Sequence, residues 1–274
     1  MTKIAAGIVT YNPDIDRLRE NVEAVLPQVE YLYIIDNNSG NFSDWKNIFD
    51  ENKVGLTKLN LNVGIARALN ILMDKAGNDG YEWVLTLDDD SVIAENYLKE
   101  IEPYLDGEVG IACGIPIYQG QDNPNVYKER TSAIAACMTS GSVTNVDAWH
   151  RVSGYDEWMF IDFVDNDFCK RLELAGYRII QVHGTNFSHQ LGETETISLF
   201  GKKIVLRNYS PLRNYYSVRN QIYFIRKYSG NIKIMWYLSR LLYMVTLKLL
   251  FERNKGENLL SIIRGATEGY QKKI

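Results

Sequence analysis

Apolar positions run along the first half of the chain in two alternating rhythms. Ile4 to Val9 is a short continuous apolar run, the length of a buried strand. Asp14 to Leu26 repeats at helical spacing instead, with Leu18, Val22 and Val25 on one face. Tyr31 to Ile35 reads as a second strand, Val63 to Ala76 as another helix, and Trp83 to Leu87 as a third strand rich in β-formers. Strand and helix in alternation predict an α/β fold: a Rossmann-like, doubly wound, mostly parallel sheet with right-handed crossovers. No G-x-G-x-x-G and no GxxxxGK[ST] falls at a strand-to-helix turn, so dinucleotide and P-loop readings lose their main support.

In open α/β sheets the ligand sits beyond the carboxyl ends of the strands. Here those ends are polar. The first runs into Thr10-Tyr11-Asn12-Pro13 and the second into Asp36-Asn37-Asn38-Ser39. Asp, Asn and Ser are turn formers, but an Asp there also accepts from the N3–H of a uracil or thymine ring. The third ends in Asp88-Asp89-Asp90. Three adjacent carboxylates repel one another unless a cation neutralises them, and Mg²⁺ or Mn²⁺ bridging to a diphosphate does so. The alternative is an acidic turn before a helix cap at Ser91. In Asn62-Val63-Gly64-Ile65-Ala66-Arg67, Gly64 lets a ligand approach the backbone. A helix start favours phosphate, and Arg67 lies one turn in.

A second acidic cluster, Asp162, Asp165 and Asp167, lies between Phe160 and Leu172. Acids in a first helical turn are favoured by the dipole alone. The interleaved aromatics also fit a partly buried cleft where a carboxylate serves as a base. A lone histidine such as His189 is ordinarily a satisfied polar residue. Beside a carboxylate trio wanting a cation it becomes a metal candidate.

Composition adds an asymmetry. Among 274 residues, 46% are hydrophobic, enough for a large core. Residues 200–274 hold 15 Lys/Arg and three acids, a net of +12. The remainder holds the other 15 of 30 basic and 31 of 34 acidic residues, a net of −16. Two parts with different partners are expected: one over 1–200 and a basic helical region over 201–274. Helix is predicted from about Tyr215. Ile232 to Phe251 is apolar but interrupted by Lys233, Arg240 and Lys248. A helix lying in the headgroup plane of an anionic membrane fits it better than a span. The alternative is packing against the catalytic domain or a partner in a homodimer. Nucleic acid is not expected, because the basic part has no binding motif and the acidic part repels phosphate. Three widely spaced cysteines without a CxxC pair, and a start that enters a strand with no signal-peptide pattern, fit a reduced cytoplasmic setting.

VTYNP, DNNS, NVGIARALN, TLDDDS, the SGS at Ser140–Ser142 and GYDEWMFIDFVDNDFCKRLELAGY, in that order, resemble the inverting glycosyltransferases of family 2, with the GT-A fold. More narrowly they resemble bacterial rhamnosyltransferases that use dTDP-L-rhamnose. The resemblance runs over about residues 4–228, and it implies a catalytic domain over 1–200 with a donor half to about 110 and an acceptor half beyond. It implies a nucleotide-sugar donor, a saccharide or lipid-linked acceptor, and a cytoplasmic enzyme on the inner face of the membrane. Residue by residue, it implies that Asp88, Asp90 and His189 hold Mg²⁺ or Mn²⁺. Asp89 touches the ribose and Asp36 reads the base. Thr10, Asn12, Asn62, Gly64 and Arg67 line the donor site. Trp158, Phe160, Ser140 and Gly141 face the acceptor. Asp165, six residues before Arg171, matches the catalytic base. Val164 stands where many relatives carry a further acid, which leaves Asp162 as the competing base. Another UDP-sugar transferase such as a galactofuranosyltransferase, a sugar nucleotidyltransferase and a non-catalytic scaffold are the other readings. The nucleotidyltransferase would need a Gly-rich basic N-terminal loop that VTYNP lacks, and the scaffold would not need the second acidic cluster.

Overall fold

Seven consecutive buried residues make β1 (Ile4–Thr10) the middle of a parallel quartet. In the computed structural model, which describes residues 2–50, 52–118, 127–190, 195–199, 202–206, 208–252 and 254–274, the chain divides into two units. One comprises residues 1–160 and 164–190, the other residues 161–163 and 191–274.

The first unit begins with β1, α1 (Ile15–Val25), β2 (Leu32–Asp36), α2 (Phe42–Trp45), β3 (Val54–Lys58), α3 (Ile65–Asn78) and β4 (Trp83–Asp88). Asp14 caps α1 by accepting from the Arg17 amide at 3.0 Å. Leu18, Val22 and Val25 are buried as the spacing predicts, and Asn21 is buried with them. The strands lie in the order β3-β2-β1-β4, all parallel. Thr10 is thereby set beside Asp36, and Val9 beside Asp88. All the polar strand ends met in the sequence open on one edge.

The rest of this unit is mixed. It comprises β5 (Val92–Ile93), α4 (Tyr97–Ile101), β6 (Val109–Tyr118), β7 (Thr131–Ala133), β8 (Ser142–Asn145), α5 (Val146–Arg151), α6 (Val164–Leu174) and β9 (Arg178–His189). The sheet continues β4-β8-β6-β9-β5, with β7 also on β9. β8 runs antiparallel to both neighbours, and β6 and β9 are parallel. A single core joins Ile4, Ile8, Leu32, Ile34, Leu85 and Leu87 to Tyr97, Ile101, Val143 and Phe187.

The second unit holds a hairpin, β10 (Glu195–Leu199) with β11 (Lys202–Leu206), and three helices, α7 (Pro211–Lys227), α8 (Ile234–Phe251) and α9 (Lys255–Gln271). α7 starts four residues before its predicted Tyr215, because Ser210 accepts from the Arg213 amide and Pro211 suits the first turn. α9 crosses α7 through Gly265 and Gly269. A Cβ at these positions would stand 2.4 Å from the Tyr215 carbonyl oxygen and 2.3 Å from that of Arg219, so only glycine fits. Most of the apolar length of α8 is exposed, including Met235, Trp236, Leu242 and Tyr243. By length and composition α8 could cross a membrane, and 6% of it is buried. The expected cationic stripe is broken. Lys233 precedes the helix, and Lys248 is buried against Glu252 at 3.4 Å and over the Tyr209 ring.

Candidate active site

The three aspartates form a turn, not the approach to a helix cap. The Ser91 amide donates to the Asp88 carbonyl at 3.2 Å, and β5 follows. Hydrogen bonds to three other segments hold this turn. Asn21 of α1 donates to the Asp88 carbonyl at 2.8 Å, and Arg17 to the Asp90 carbonyl at 2.8 Å. The Asp88 amide donates to Ser140 Oγ at 3.0 Å, and Ser140 donates to Ser91 Oγ at 2.7 Å. The Tyr11 amide donates to Asp89 Oδ2 at 3.1 Å.

Pairing of β5 with β9, Val92 opposite Ser188, brings His189 to the same turn. Its Nδ1 lies 3.0 Å from Asp90 Oδ1 and 2.9 Å from Ser91 Oγ. One ligand atom each from Asp88, Asp90 and His189 lies within 4.8 Å of the others. Two hard oxygen donors with one imidazole, partly open to solvent, suit Mg²⁺ or Mn²⁺, so these residues fit the cation the resemblance implies. The local charge also shows in protonation. Burial, and then Asp88 and Asp90 beside it, push the Asp89 carboxyl up to about 7 against the Tyr11 hydrogen bond. For His189 burial acts downward, but the hydrogen bond and charge of Asp90 outweigh it and raise the imidazole above its ordinary range.

The second strand end is equally ordered. Asp36 is fully buried and accepts from Thr10 Oγ1 at 3.1 Å and from the Ser39 amide at 3.0 Å. Asn12, in the left-handed region at φ 53°, ties this loop to the first through the Ser39 hydroxyl and the Gly40 amide. Asn62 accepts from Asn37 and from the Gly64 amide. Gly64 has φ 82°, and the close approach its missing Cβ permits is made by Phe160, whose ring would lie 2.6 Å from that Cβ. The Phe160 carbonyl also takes the Ile65 amide, at the first turn of α3. Arg67 pairs loosely with Glu157 at 3.8 Å, both exposed.

The residues read as facing an acceptor occupy unlike places. Trp158 and Phe160 are half-buried at the end of the short turn Glu157–Met159. Ser140 is fully buried and spends its hydroxyl on the acidic turn. The Gly141 amide donates to Thr86, and a Cβ there would meet Phe187 at 2.4 Å.

The two candidate bases separate. Asp165 lies in the first turn of α6, in the first unit, where the helix dipole favours its charge, and it accepts from the Asn166 amide. It lines a small pocket with Cys137, Thr139, Ser142, Tyr155 and Phe168. Asp162 belongs to the second unit. Arg213 lies 3.3 Å from its carboxylate, and Asn220 donates to its carbonyl. Phe160, Asp162 and Phe163 all have φ between 62° and 64°. Such strain costs roughly 1–3 kcal/mol per residue and clusters at functional sites. Asp167 is buried against Arg171 at 2.7 Å and is structural.

Sequence reasoning missed the supports. Arg17 and Asn21, four apart on α1, hold the acidic turn. Asn70 of α3 bonds Tyr155 twice, Trp149 and Glu157, and so fixes the segment leading to Phe160. The available signal was a polar residue on an otherwise apolar helix face.

The parallel quartet, with Asp88, Asp90 and His189 grouped at its carboxyl edge, is that of the GT-A fold. Solved structures with this fold include GalNAc-T7 with UDP, GalNAc and Mn²⁺ (TM-score 0.62, 14% identity, 90% of this chain and 57% of that one). They also include S. aureus TarS 1-349 with UDP-GlcNAc (TM-score 0.60, 15% identity, 98% and 81%). Residues 6–170 match the model of glycosyl transferase family 2, and the chain belongs to that family. It is 27% identical over 296 residues to the dTDP-rhamnosyl transferase RfbF of Shigella flexneri, covering 98% of each. The protein is a glycosyltransferase that uses a nucleotide sugar.

Proposed function

We propose that the protein moves L-rhamnose from dTDP-rhamnose, with inversion, to a saccharide or lipid-linked acceptor of a cell-surface polysaccharide. The observation that carries the transfer reading is the convergence of Asp88, Asp90 and His189 beside the Thr10–Asp36 pair on one sheet edge. The similarity to RfbF supports the choice of sugar.

In this reading Asp36, held by Thr10 and Ser39, accepts from the N3–H of the thymine ring. Asp89, anchored on the Tyr11 amide, faces the ribose. Asp88, Asp90 and His189 orient the diphosphate end. Charge on the leaving nucleoside diphosphate is offset by a divalent cation, Mg²⁺ or Mn²⁺, when one is bound. Asp165 takes the proton of the acceptor hydroxyl as it attacks the anomeric carbon from the opposite face. Asp162, engaged by Arg213, is the weaker candidate for that role.

The test is a panel of dTDP- and UDP-sugars with Mn²⁺ or Mg²⁺, reading nucleoside diphosphate release and product mass. dTDP-rhamnose is expected to be consumed with dTDP release. Turnover of a UDP-sugar alone would replace the donor, and pyrophosphate release would replace the reaction. Asp165→Asn should keep donor binding and lower transfer roughly 10²–10⁴-fold. Full activity in that variant would move the base elsewhere.

We also propose that residues 201–274 dock the enzyme on the inner, anionic face of the cytoplasmic membrane, near a lipid-linked acceptor. The exposed apolar length of α8 and the +12 balance of residues 200–274 support this.

A further inference from the structure

Away from the donor edge, the first unit holds a second hollow. Gly7, Tyr33 and Gly55 stand side by side on β1, β2 and β3. A Cβ at Gly7 would stand 2.2 Å from Leu72, so α3 lies directly over β1 there. Tyr33 is 5% exposed and donates its hydroxyl to Asp79, the residue that ends α3. Over Gly55 lies Tyr31 instead, whose hydroxyl would stand 2.6 Å from a Cβ at that position. A cleft of about 320 Å³ stays open between Tyr31, Tyr33 and Thr57 on the sheet and Lys75, Asn78 and Asp79 at the end of α3. That volume lies at the low end of the roughly 300–1,000 Å³ of small-molecule sites.

A buried tyrosine hydroxyl needs a partner, and Asp79 supplies it. That need does not account for the hollow beside the pair. A glycine inside a strand weakens it and often marks the close approach of another group. Here it lets the Tyr31 ring lie against β3, where Tyr33 holds it edge to face at 4.9 Å between centroids. The lining then selects among ligands. An anion is disfavoured, because the Asp79 carboxylate and the carbonyl end of α3 both repel it. A divalent cation is disfavoured too. Lys75 lines the same space, and among the described residues only Asp88, Asp90 and His189 form a cation donor set. A neutral ligand rich in hydroxyls meets every group. Lys75 and Asn78 donate to it, and the Asp79 carboxylate and Thr57 hydroxyl accept from it. The half-buried Tyr31 ring offers an apolar surface to the C–H side of a pyranose.

We propose that this cleft is a saccharide subsite, separate from the transfer site, that grips already-built units of the acceptor chain. The helix α3 sets its distance from the donor edge. Gly64 precedes α3 at that edge and Asp79 follows it at the cleft. The 14 residues between them, at about 1.5 Å each, span roughly 20 Å. A single sugar cannot bridge that length, whereas a longer chain occupies both places at once. A second hold of this kind adds binding that is equal in ground and transition states. It lowers KM for long acceptors and leaves kcat unchanged.

The acceptor role rests on the glycosyltransferase reading, but saccharide binding does not. The full-length protein, without donor, would be mixed with the methyl glycosides of L-rhamnose, D-glucose, D-galactose and N-acetyl-D-glucosamine. Saturation transfer from protein to sugar would be read by NMR. At least one glycoside should give a signal that falls several-fold in Tyr31→Ala and in the double variant Lys75→Ala with Asn78→Ala. Lys75 and Asn78 are exposed, so the double variant decides the matter if Tyr31→Ala does not fold. No signal from any glycoside, or signals that the double variant leaves intact, overturns the site. Acceptors would then be oligosaccharides released from the cell-surface polysaccharide by partial acid hydrolysis and sorted by length. KM should fall several-fold with length in the parent and stay level in the double variant, at equal kcat. A parent KM independent of length, in a protein active on its donor, overturns the acceptor role. A wrong donor abolishes turnover but leaves the NMR signal, so the two failures are distinguishable.

Discussion

At the scale of single residues the site depends as much on what holds the carboxylates as on the carboxylates themselves. Asp90→Ala removes one of three donor atoms and should abolish Mn²⁺-dependent donor binding, read by titration calorimetry, while the melting temperature stays near that of the parent. Donor binding equal to the parent in Mn²⁺ would remove Asp90 from the cation position. Asn21→Ala keeps all three donors but releases the Asp88 carbonyl, and supports of this kind are worth roughly 10–100-fold in metal affinity. Mn²⁺ binding should weaken within that range. The acids were legible from the sequence because three adjacent carboxylates at a strand end repel one another and call for a cation. Asn21 was not, because its partner lies 67 residues away and a buried asparagine looks like any polar residue on a helix. Ser140 entered only through the resemblance, on the acceptor side; its burial and its hydroxyl's hold on the acidic turn left no mark in the sequence.

At the scale of elements three strands of the parallel quartet were legible, while its edge strand β3 and the antiparallel β8 were not. β1, β2 and β4 are mostly apolar runs of five to seven residues, whereas β8 is the four residues Ser142–Asn145, carrying three polar side chains and too short to show a period. The α7–α9 crossing was equally hidden, since Gly265 and Gly269 stand four apart in an otherwise ordinary helix. Gly269→Val would drive a side chain into the Arg219 carbonyl. Overpacking of this sort costs roughly 1–3 kcal/mol, which urea melts would register; an unchanged midpoint would mean the helices are not in such close contact. Glu268 of α9 accepts from the Tyr215 hydroxyl and, at 3.0 Å, from Arg264, and these bonds, in that order, lower its carboxyl below the ordinary value. A lowered folded-state pKa contributes stability above the unfolded value near 4.5, and this is lost as pH falls through the folded value. The melting-temperature gap between the parent and Glu268→Gln should therefore be open at pH 7 and close on acidification below 4.5; a gap that does not change with pH would exclude the carboxylate as its source.

At the scale of the whole molecule, charge asymmetry pointed to two parts, but it could not show how α8 is arranged. Lys248 turns inward onto Glu252, so apolar surface rather than a cationic stripe dominates the exposed part of this helix. Membrane docking should then depend on both terms. The parent should float with anionic liposomes at low salt, and more weakly at 1 M salt, where the Debye length falls to about 3 Å. The pair Trp236→Glu with Leu242→Glu should abolish flotation even at low salt. Flotation undiminished by that pair would exclude α8 as the docking element, and absence of flotation by the parent would favour a protein partner, with dimerisation as the first alternative to measure. The assignment of residues 161–163 to the second unit has a further consequence, in time rather than space. Asp162 and its neighbours are held by Arg213 and Asn220, 51 to 59 residues further along the chain. At roughly 5–20 residues per second, those anchors leave the ribosome several seconds after the segment they hold. The strained segment just before Asp165 is thus settled only after synthesis has passed well beyond it.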